Sequence, residues 1–329
     1  MDKLFDHSVL LVTGKGGVGK STVAAALARQ AHAEGKRVLL IEFEAVSRVA
    51  PLFGRSEAPV EPVQLQPGLD LMGFDLLHAL HLFAGDQLKV RALAKLALAN
   101  KHVRGFFLAM PAIRSILFLY QLQQLEVLHG PRGDRRWDLL VCDMPTSGFV
   151  AGLYGVPTMV RQIFRVGPLA QVAESMSQVL FDPLRTGLVL VTLPEEMPVV
   201  ETVELRNMLR KRHGIETAAI VVNGVYPELI HADELAALAA TVEPDDEGDS
   251  EDARQTNADV DTLLWAAEVL RGRAQRAARL LPDLQTASGG RLIELPHLFR
   301  RQLHLDSIDQ LAARVRQATR RDPRMGASR

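Results

Sequence analysis

"SVLLVTGKGGVGKSTVAAALARQ", residues 8–30, decides the fold. A short run of β-branched and leucine residues meets a glycine-rich loop, and a helical pattern starts directly behind it. The core "GKGGVGKS" satisfies G-x-x-x-x-G-K-[ST] with Gly14, Gly19, Lys20 and Ser21. Strand, loop and helix in that order are the context in which the pattern means a phosphate loop. The backbone N–H groups of Gly16, Gly17, Val18, Gly19, Lys20 and Ser21, with Thr22 in the same first turn, can converge on anionic oxygens. The helix N-terminus adds partial positive charge. Lys20 is expected on the β- and γ-phosphates of ATP, and Ser21 on Mg²⁺. A second lysine, Lys15, has no assigned task in that scheme.

Working outward, apolar runs recur at 8–12, 37–42, 69–74, 137–143, 187–193, 218–223 and 291–295. Continuous apolar strands are what a parallel sheet covered on both faces requires. Helical patterns lie between them, the first closing on Gly35, a residue suited to a helix C-terminus. The expected fold is therefore a doubly wound, mainly parallel α/β domain over residues 1–329. Residues 76–130 and 149–182 are helical in pattern where a minimal fold would need less chain, and they are expected to form an inserted helical subdomain. The acidic "EPDDEGDSED" (243–252) predicts a flexible loop over 241–258, followed by a basic helix at 270–281. Residues 320–329 are expected to be a disordered tail.

Composition narrows the class. Apolar residues make up 47 % of the 329, enough for a sizeable core, and 38 basic against 39 acidic side chains argue against a dedicated nucleic-acid binder. The single cysteine, Cys142, excludes an internal disulfide and any multi-thiolate metal site within one chain. The first residues lack the regions of a signal peptide. The most apolar window, 106–120, is interrupted by Pro111 and Arg114 and falls short of a membrane span. A cytoplasmic protein with no integral membrane segment is the expectation. His78 and His81 stand three apart on a helical stretch, but no third metal ligand accompanies them.

"GKGGVGKST" resembles the deviant Walker A motif, in which the early lysine marks a family of dimeric ATPases. The family includes MinD and ParA, the nitrogenase iron protein, the arsenite-pump ATPase ArsA and the ATPases that target tail-anchored membrane proteins. The resemblance implies that Lys15 crosses a dimer interface to phosphates held by the other subunit. Three further stretches are similar to the ArsA and tail-anchored-protein-targeting branch. "CDMPTSGF" (142–149) looks like its switch II segment, which puts Asp143 where a carboxylate would hold Mg²⁺ through water. "TLPEEMPVVETVEL" (192–205) resembles a segment of bacterial members. "VVNGVYPE" (221–228) and "ELPHLF" (294–299) resemble the adenine-binding segments, with Asn223 and Pro296 at the matching positions.

Departures from the family pattern are equally specific. "EAVSRVAPLFG" (44–54) aligns with switch I, and Glu44 falls where relatives carry the aspartate that orients the attacking water. The carboxylate is one methylene longer, and a displacement of about 1 Å costs on the order of a hundredfold in rate. Phe149 stands where a histidine is common, and Arg301 where a glutamate is common. Cys142 alone supplies neither the thiols that bind metalloid in arsenite-activated members nor a dimer-seam zinc. The leading expectation is a Mg²⁺-dependent ATPase of the ArsA type, a homodimer or a heterodimer with a paralogue. Its helical subdomain would respond to nucleotide and could hold an apolar client segment, although the same Leu, Phe and Met content suits core packing. The alternatives are a MinD- or ParA-like positioning switch with slow or absent hydrolysis, and a nucleotide binder that has lost turnover.

Overall fold

The computed structural model describes residues 4–87, 111–130, 133–228, 231–241, 251–289 and 291–320. Eight strands form one sheet: β1 (Val9–Gly14), β2 (Val38–Glu42), β3 (Val63–Gln66), β4 (Leu69–Gly73), β5 (Leu139–Thr146), β6 (Thr186–Thr192), β7 (Thr217–Val225) and β8 (Leu292–Pro296). Their order is β3-β4-β2-β5-β1-β6-β7-β8, and every neighbouring pair is parallel except β3–β4. The doubly wound, mainly parallel α/β fold expected from the apolar runs is the fold observed.

Side-chain alternation sorts the central strands between two cores. Val9 and Leu11 of β1 join the core on one face, while Leu10 and Val12 join the other. On the second face lie α1 (Lys20–Ala33) and the last described helix, whose Ile308, Leu311 and Val315 are buried. Helix α1 ends as expected: Gly35 takes φ +89° and its N–H donates to His32 O over 2.9 Å.

The first face carries most of the remaining helices. They are α2 (Leu76–Gln87), α3 (Pro111–Val127), α4 (Ser147–Leu153), α5 (Val156–Ile163), α6 (Pro168–Phe181) and α7 (Glu196–His213). Leu117 and Phe118 of α3, Val150 of α4 and Met176 of α6 share one apolar cluster with the sheet residues Leu39 and Ile41. Both segments read as an inserted helical subdomain therefore pack onto the same sheet face, and residues 88–110 between α2 and α3 lie outside the described residues.

Strand β3 was not among the expected strands. It is a four-residue antiparallel edge strand with the sequence VQLQ and no fully buried side chain, so it carries none of the continuous apolarity that marks a parallel strand. Of the acidic stretch expected as a loop over 241–258, residues 242–250 lie outside the described residues. Helix α8 (Ala232–Thr241) precedes them, and Glu251 already opens α9 (Glu251–Ser288), so residues 251–258 are helix and not the loop expected there. The chain continues through β8 to α10 (Leu305–Arg320), and the remainder of the expected tail, 321–329, lies outside the described residues. No described helix is long and apolar enough to cross a membrane.

The phosphate-binding loop leaves the C-terminal end of β1, where β5 on one side and β6 on the other diverge in chain order. Crevices outside the carboxyl ends of parallel strands at such a reversal are where open α/β sheets bind ligands. The approach of β1 to β6 is so close that a Cβ on Gly14 would stand 2.1 Å from Val191 O. Gly14→Ala must therefore push backbone against backbone, and a loss of about 3 kcal/mol is expected. Urea unfolding of the variant against the wild type measures it.

Candidate active site

Residues 14–21 turn from β1 into α1 without a side-chain cap on the helix. Gly19 is the N-cap residue, in the left-handed region at φ +88° and ψ +29°. The backbone donors at the start of α1 therefore face the loop instead of a capping hydroxyl or carboxylate, which is the arrangement an anion needs. Lys20 folds back over the loop, and its Nζ donates to Lys15 O over 3.1 Å. Burial holds the Lys20 ammonium below its ordinary pKa, opposed by the charge of Asp143, reinforced by Arg48 and opposed again by Glu44.

Asp143 sits within β5, beside Val12 of β1 on one side and Glu42 of β2 on the other. Ser21 Oγ donates to Asp143 Oδ2 over 2.6 Å, which joins the first turn of α1 to the fifth strand. The other oxygen, Oδ1, is buried and has no hydrogen-bond partner among the described residues. Burial raises the Asp143 carboxyl to about 6; Ser21 lowers it, Glu42 raises it further, and Lys20 and Arg48 lower it. An orphaned carboxylate oxygen in that setting accepts a proton or a cation.

Two further residues singled out in sequence are Lys15 and Glu44. Lys15 Nζ lies 2.6 Å from Glu201 Oε1 on α7 of the same chain, both side chains being partly exposed. Glu44 is exposed just beyond β2, and no hydrogen bond joins it to a described residue. It is near enough to raise the Lys20 pKa electrostatically. Asn223, close to the end of β7, donates from Nδ2 to Val18 O over 3.0 Å. Pro296 closes β8 directly opposite Val225, so Asn223 and Pro296 lie near the ends of adjacent strands. Gly16, Gly17, Val18 and Thr22 lie in the loop and the first turn with Lys20 and Ser21.

Phe149 is in α4 and its ring packs 4.7 Å from that of Phe43. Arg301 is exposed beyond β8. Cys142 is fully buried and its thiol is pushed up by burial. His78 meets Glu61 at 3.4 Å and His81 Nδ1 meets its own helix at Leu77 O, so the two imidazoles do not converge. Among the described residues no three His, Cys, Asp or Glu side chains converge as metal ligands.

Residues that sequence reasoning passed over surround this arrangement. Glu42 is buried at the end of β2, where it accepts from Ser47 Oγ and from the N–H groups of Arg48 (2.6 Å), Val49 (2.7 Å) and Ala50 (3.3 Å). One carboxylate thus pins the segment that follows Glu44. Its signal in the sequence was a lone acid closing a fully apolar strand. Arg48 and Glu201 each lay inside a quoted stretch, but only the tertiary fold brings them to the loop.

Sheet, loop and the buried aspartate of β5 together define a phosphate-loop nucleoside-triphosphatase. A sequence model of the anion-transporting ATPase family matches residues 7–172 and 164–243, well over half of the chain. The chain belongs to that family, the ArsA-like ATPases, and is an ATP-hydrolysing enzyme. It is 29 % identical over 238 residues to ATPase BagA of Mycobacterium tuberculosis, covering 70 % of this chain and 68 % of that one. It is also 27 % identical over 241 residues to a putative arsenical pump-driving ATPase of Halobacterium salinarum, covering 67 % of this chain but 36 % of that protein. The arsenical pump-driving ATPase of Acidiphilium multivorum is 26 % identical over 254 residues, with 71 % and 42 % covered.

The Asp143 carboxyl has a pH signature of its own. Its pKa rises from 3.8 to about 6 on folding, so between those values the folded chain holds a proton that the unfolded chain has lost. On this group's account stability is greatest at low pH and declines as pH rises through 6, by at most about 3 kcal/mol. Asp143→Asn removes the decline. Thermal unfolding of the ligand-free chain is expected to show the variant a few degrees above wild type at pH 8, with the gap roughly halved at pH 5 and closed only below about pH 4.

Proposed function

We propose that the chain is a Mg²⁺-dependent ATPase that works as a dimer and couples its nucleotide state to the helices of 76–130 and 149–182. The observation that carries this reading is the convergence, in one crevice, of an uncapped helix start, Lys20, and a buried aspartate with one oxygen unpartnered. The donors of residues 16–22 and the Lys20 ammonium would hold the triphosphate. Ser21 and, through water, Asp143 would hold Mg²⁺, and the lone Asp143 Oδ1 fits a cation's water shell. When bound, Mg²⁺ supplies charge neutralisation on the phosphate oxygens.

Hydrolysis needs a water in line with the γ-phosphorus and an acceptor for its proton. Glu44 is the acceptor we assign, since it stands exposed just beyond β2, near enough for its charge to act on Lys20. As the water oxygen bonds to phosphorus, its proton passes to Glu44 and the bond to ADP breaks. Asn223 and Pro296 would flank adenine, and the bond from Asn223 to Val18 O links base recognition to the loop.

A dimer gives Lys15 its task. In the single chain its charge is satisfied by Glu201, so crossing to a second subunit means exchanging a carboxylate for phosphate oxygens. Around that pair the exposed apolar side chains Met197 and Val200, with Val46 74 % exposed on the switch I side, are surface that a second copy would cover. Ile163, Phe164 and Val166 are exposed between α5 and α6, which supports an apolar client segment on that face. Arsenite activation through thiols does not fit, because the single cysteine is buried and inert.

The positioning-switch reading keeps one supporting observation, the absence of any described hydrogen bond to Glu44, which leaves water orientation loose and turnover slow. Against a terminal membrane helix stands the burial of Ile308, Leu311 and Val315 of α10 over the sheet face that carries α1.

ATP hydrolysis with Mg²⁺, measured beside particle mass, tests the proposal. Lys20→Ala should lose nucleotide binding or turnover. Glu44→Ala should bind ATP normally and hydrolyse at least a hundredfold more slowly, on the order expected for a lost proton acceptor. Lys15→Ala should bind ATP yet remain monomeric, and a wild-type mass change in that variant would end the dimer reading. Glu201→Gln releases Lys15 and should dimerise at lower ATP concentration than wild type.

A further inference from the structure

Phe43, the residue that precedes Glu44, is held through both of its backbone polar groups. Phe43 N–H donates to Asp143 O over 3.1 Å. Phe43 O accepts from Arg114 Nη2 over 3.0 Å. Because the peptide is planar, fixing the Phe43 carbonyl also fixes the direction in which the Glu44 N–H and Cα leave it. Arg114 lies on α3, distant in sequence and on the helical side of the molecule. Its guanidinium carbon stands 4.5 Å from the centre of the Phe43 ring, so the same side chain grips residue 43 by its carbonyl and by its ring face.

The Phe43 ring in turn meets three other rings. It packs on Phe74 just after β4 (5.0 Å), Phe118 of α3 (4.9 Å) and Phe149 of α4 (4.7 Å). Arg114 is half-buried, makes no ion pair among the described residues, and has a buried Nε with no hydrogen-bond partner there. A charge kept in such a place without a carboxylate calls for a use. The hydrogen bond and the ring contact it makes among the described residues both lie on Phe43.

We propose that Arg114 is a positioning residue for hydrolysis: through the Phe43 carbonyl and ring it sets where Glu44 stands, so that the place of α3 on the sheet controls turnover. The inference rests on the reading of Glu44 as the residue that orients the attacking water. In this role Arg114 would act through Phe43 and Glu44 and would not itself contact ATP or the attacking water. A retreat of α3 by about 1 Å would break the bond and leave the Phe43–Glu44 peptide free to turn, a displacement of the size that costs on the order of a hundredfold in rate.

The experiment is steady-state ATP hydrolysis with Mg²⁺ by Arg114→Gln, Arg114→Lys, Glu44→Ala and the double variant Arg114→Gln/Glu44→Ala, with ATP affinity and thermal unfolding measured alongside. Arg114→Gln should lower kcat by tenfold or more and leave KM and ATP affinity within about threefold. Arg114→Lys keeps a cationic donor and should recover most of the rate. The double variant should be no slower than Glu44→Ala alone, because Arg114 acts through Glu44.

Wild-type kcat in Arg114→Gln, beside a slow Glu44→Ala, overturns the proposal and leaves the Glu44 reading standing. Wild-type kcat in Glu44→Ala overturns the Glu44 reading, and Arg114 then has nothing to position. A further tenfold loss in the double variant shows independent action and also overturns it. Should Arg114→Gln not fold, Arg114→Met, which keeps the apolar stem, replaces it; if that variant also fails to fold, the role is structural and the proposal falls.

Discussion

Two elements that are 122 residues apart are tied together where negative charge has to be handled. Ser21 Oγ donates to Asp143 Oδ2 over 2.6 Å, joining the first turn of α1 to the fifth strand. The bond holds a helix start, with its unsatisfied amides and partial positive charge, against a buried carboxylate that is itself short of partners. Each side keeps the other open for ligand. Without an anion the amides remain exposed to the loop, and without a cation the carboxyl drifts toward its protonated form. The sheet supplies the rigidity, since β1 lies between β5 and β6 with every side chain of the strand buried.

Two acidic side chains stand at paired positions of β2 and β5, and their surroundings separate their roles. Glu42 spends both oxygens on Ser47 and on three consecutive backbone N–H groups, so it serves the loop that follows. Asp143 spends only one. Between the two carboxylates and the helices lies Phe43, whose neighbours come from β4's end, α3 and α4. The coupling proposed between the nucleotide crevice and the helical face would have a physical route through these packed rings, because close-packed interiors do not deform smoothly.

Much of this was legible in one dimension. The loop pattern, its strand and its helix are contiguous, and local geometry follows from the glycines and the helix start. The runs ending at Glu42, Asp143 and Thr192 are apolar without alternation, which is the mark of parallel strands covered on both sides. Strand β3 escaped because VQLQ at an edge needs neither apolarity nor alternation; its pairing with β4 is decided by the turn through Gly68. Phe149 read as a departure from a family pattern, yet its ring has a partner in Phe43 that no spacing rule would reveal.

The chain's sequence by itself determined that a phosphate loop opens α1, that the sheet is mainly parallel and buried, and that an acid stands on the strand beside it. Those properties depend on neighbours a few residues apart, for which dihedral preference and side-chain period are sufficient physics. Only the tertiary structure decided that Lys15 rests on Glu201, that Glu42 holds the segment after β2, and that Arg114 reaches the Phe43 carbonyl. Each of these is a polar contact whose partner is chosen by how helices pack on a sheet, and a charge in a sequence does not say which opposite charge or carbonyl folding will bring to it.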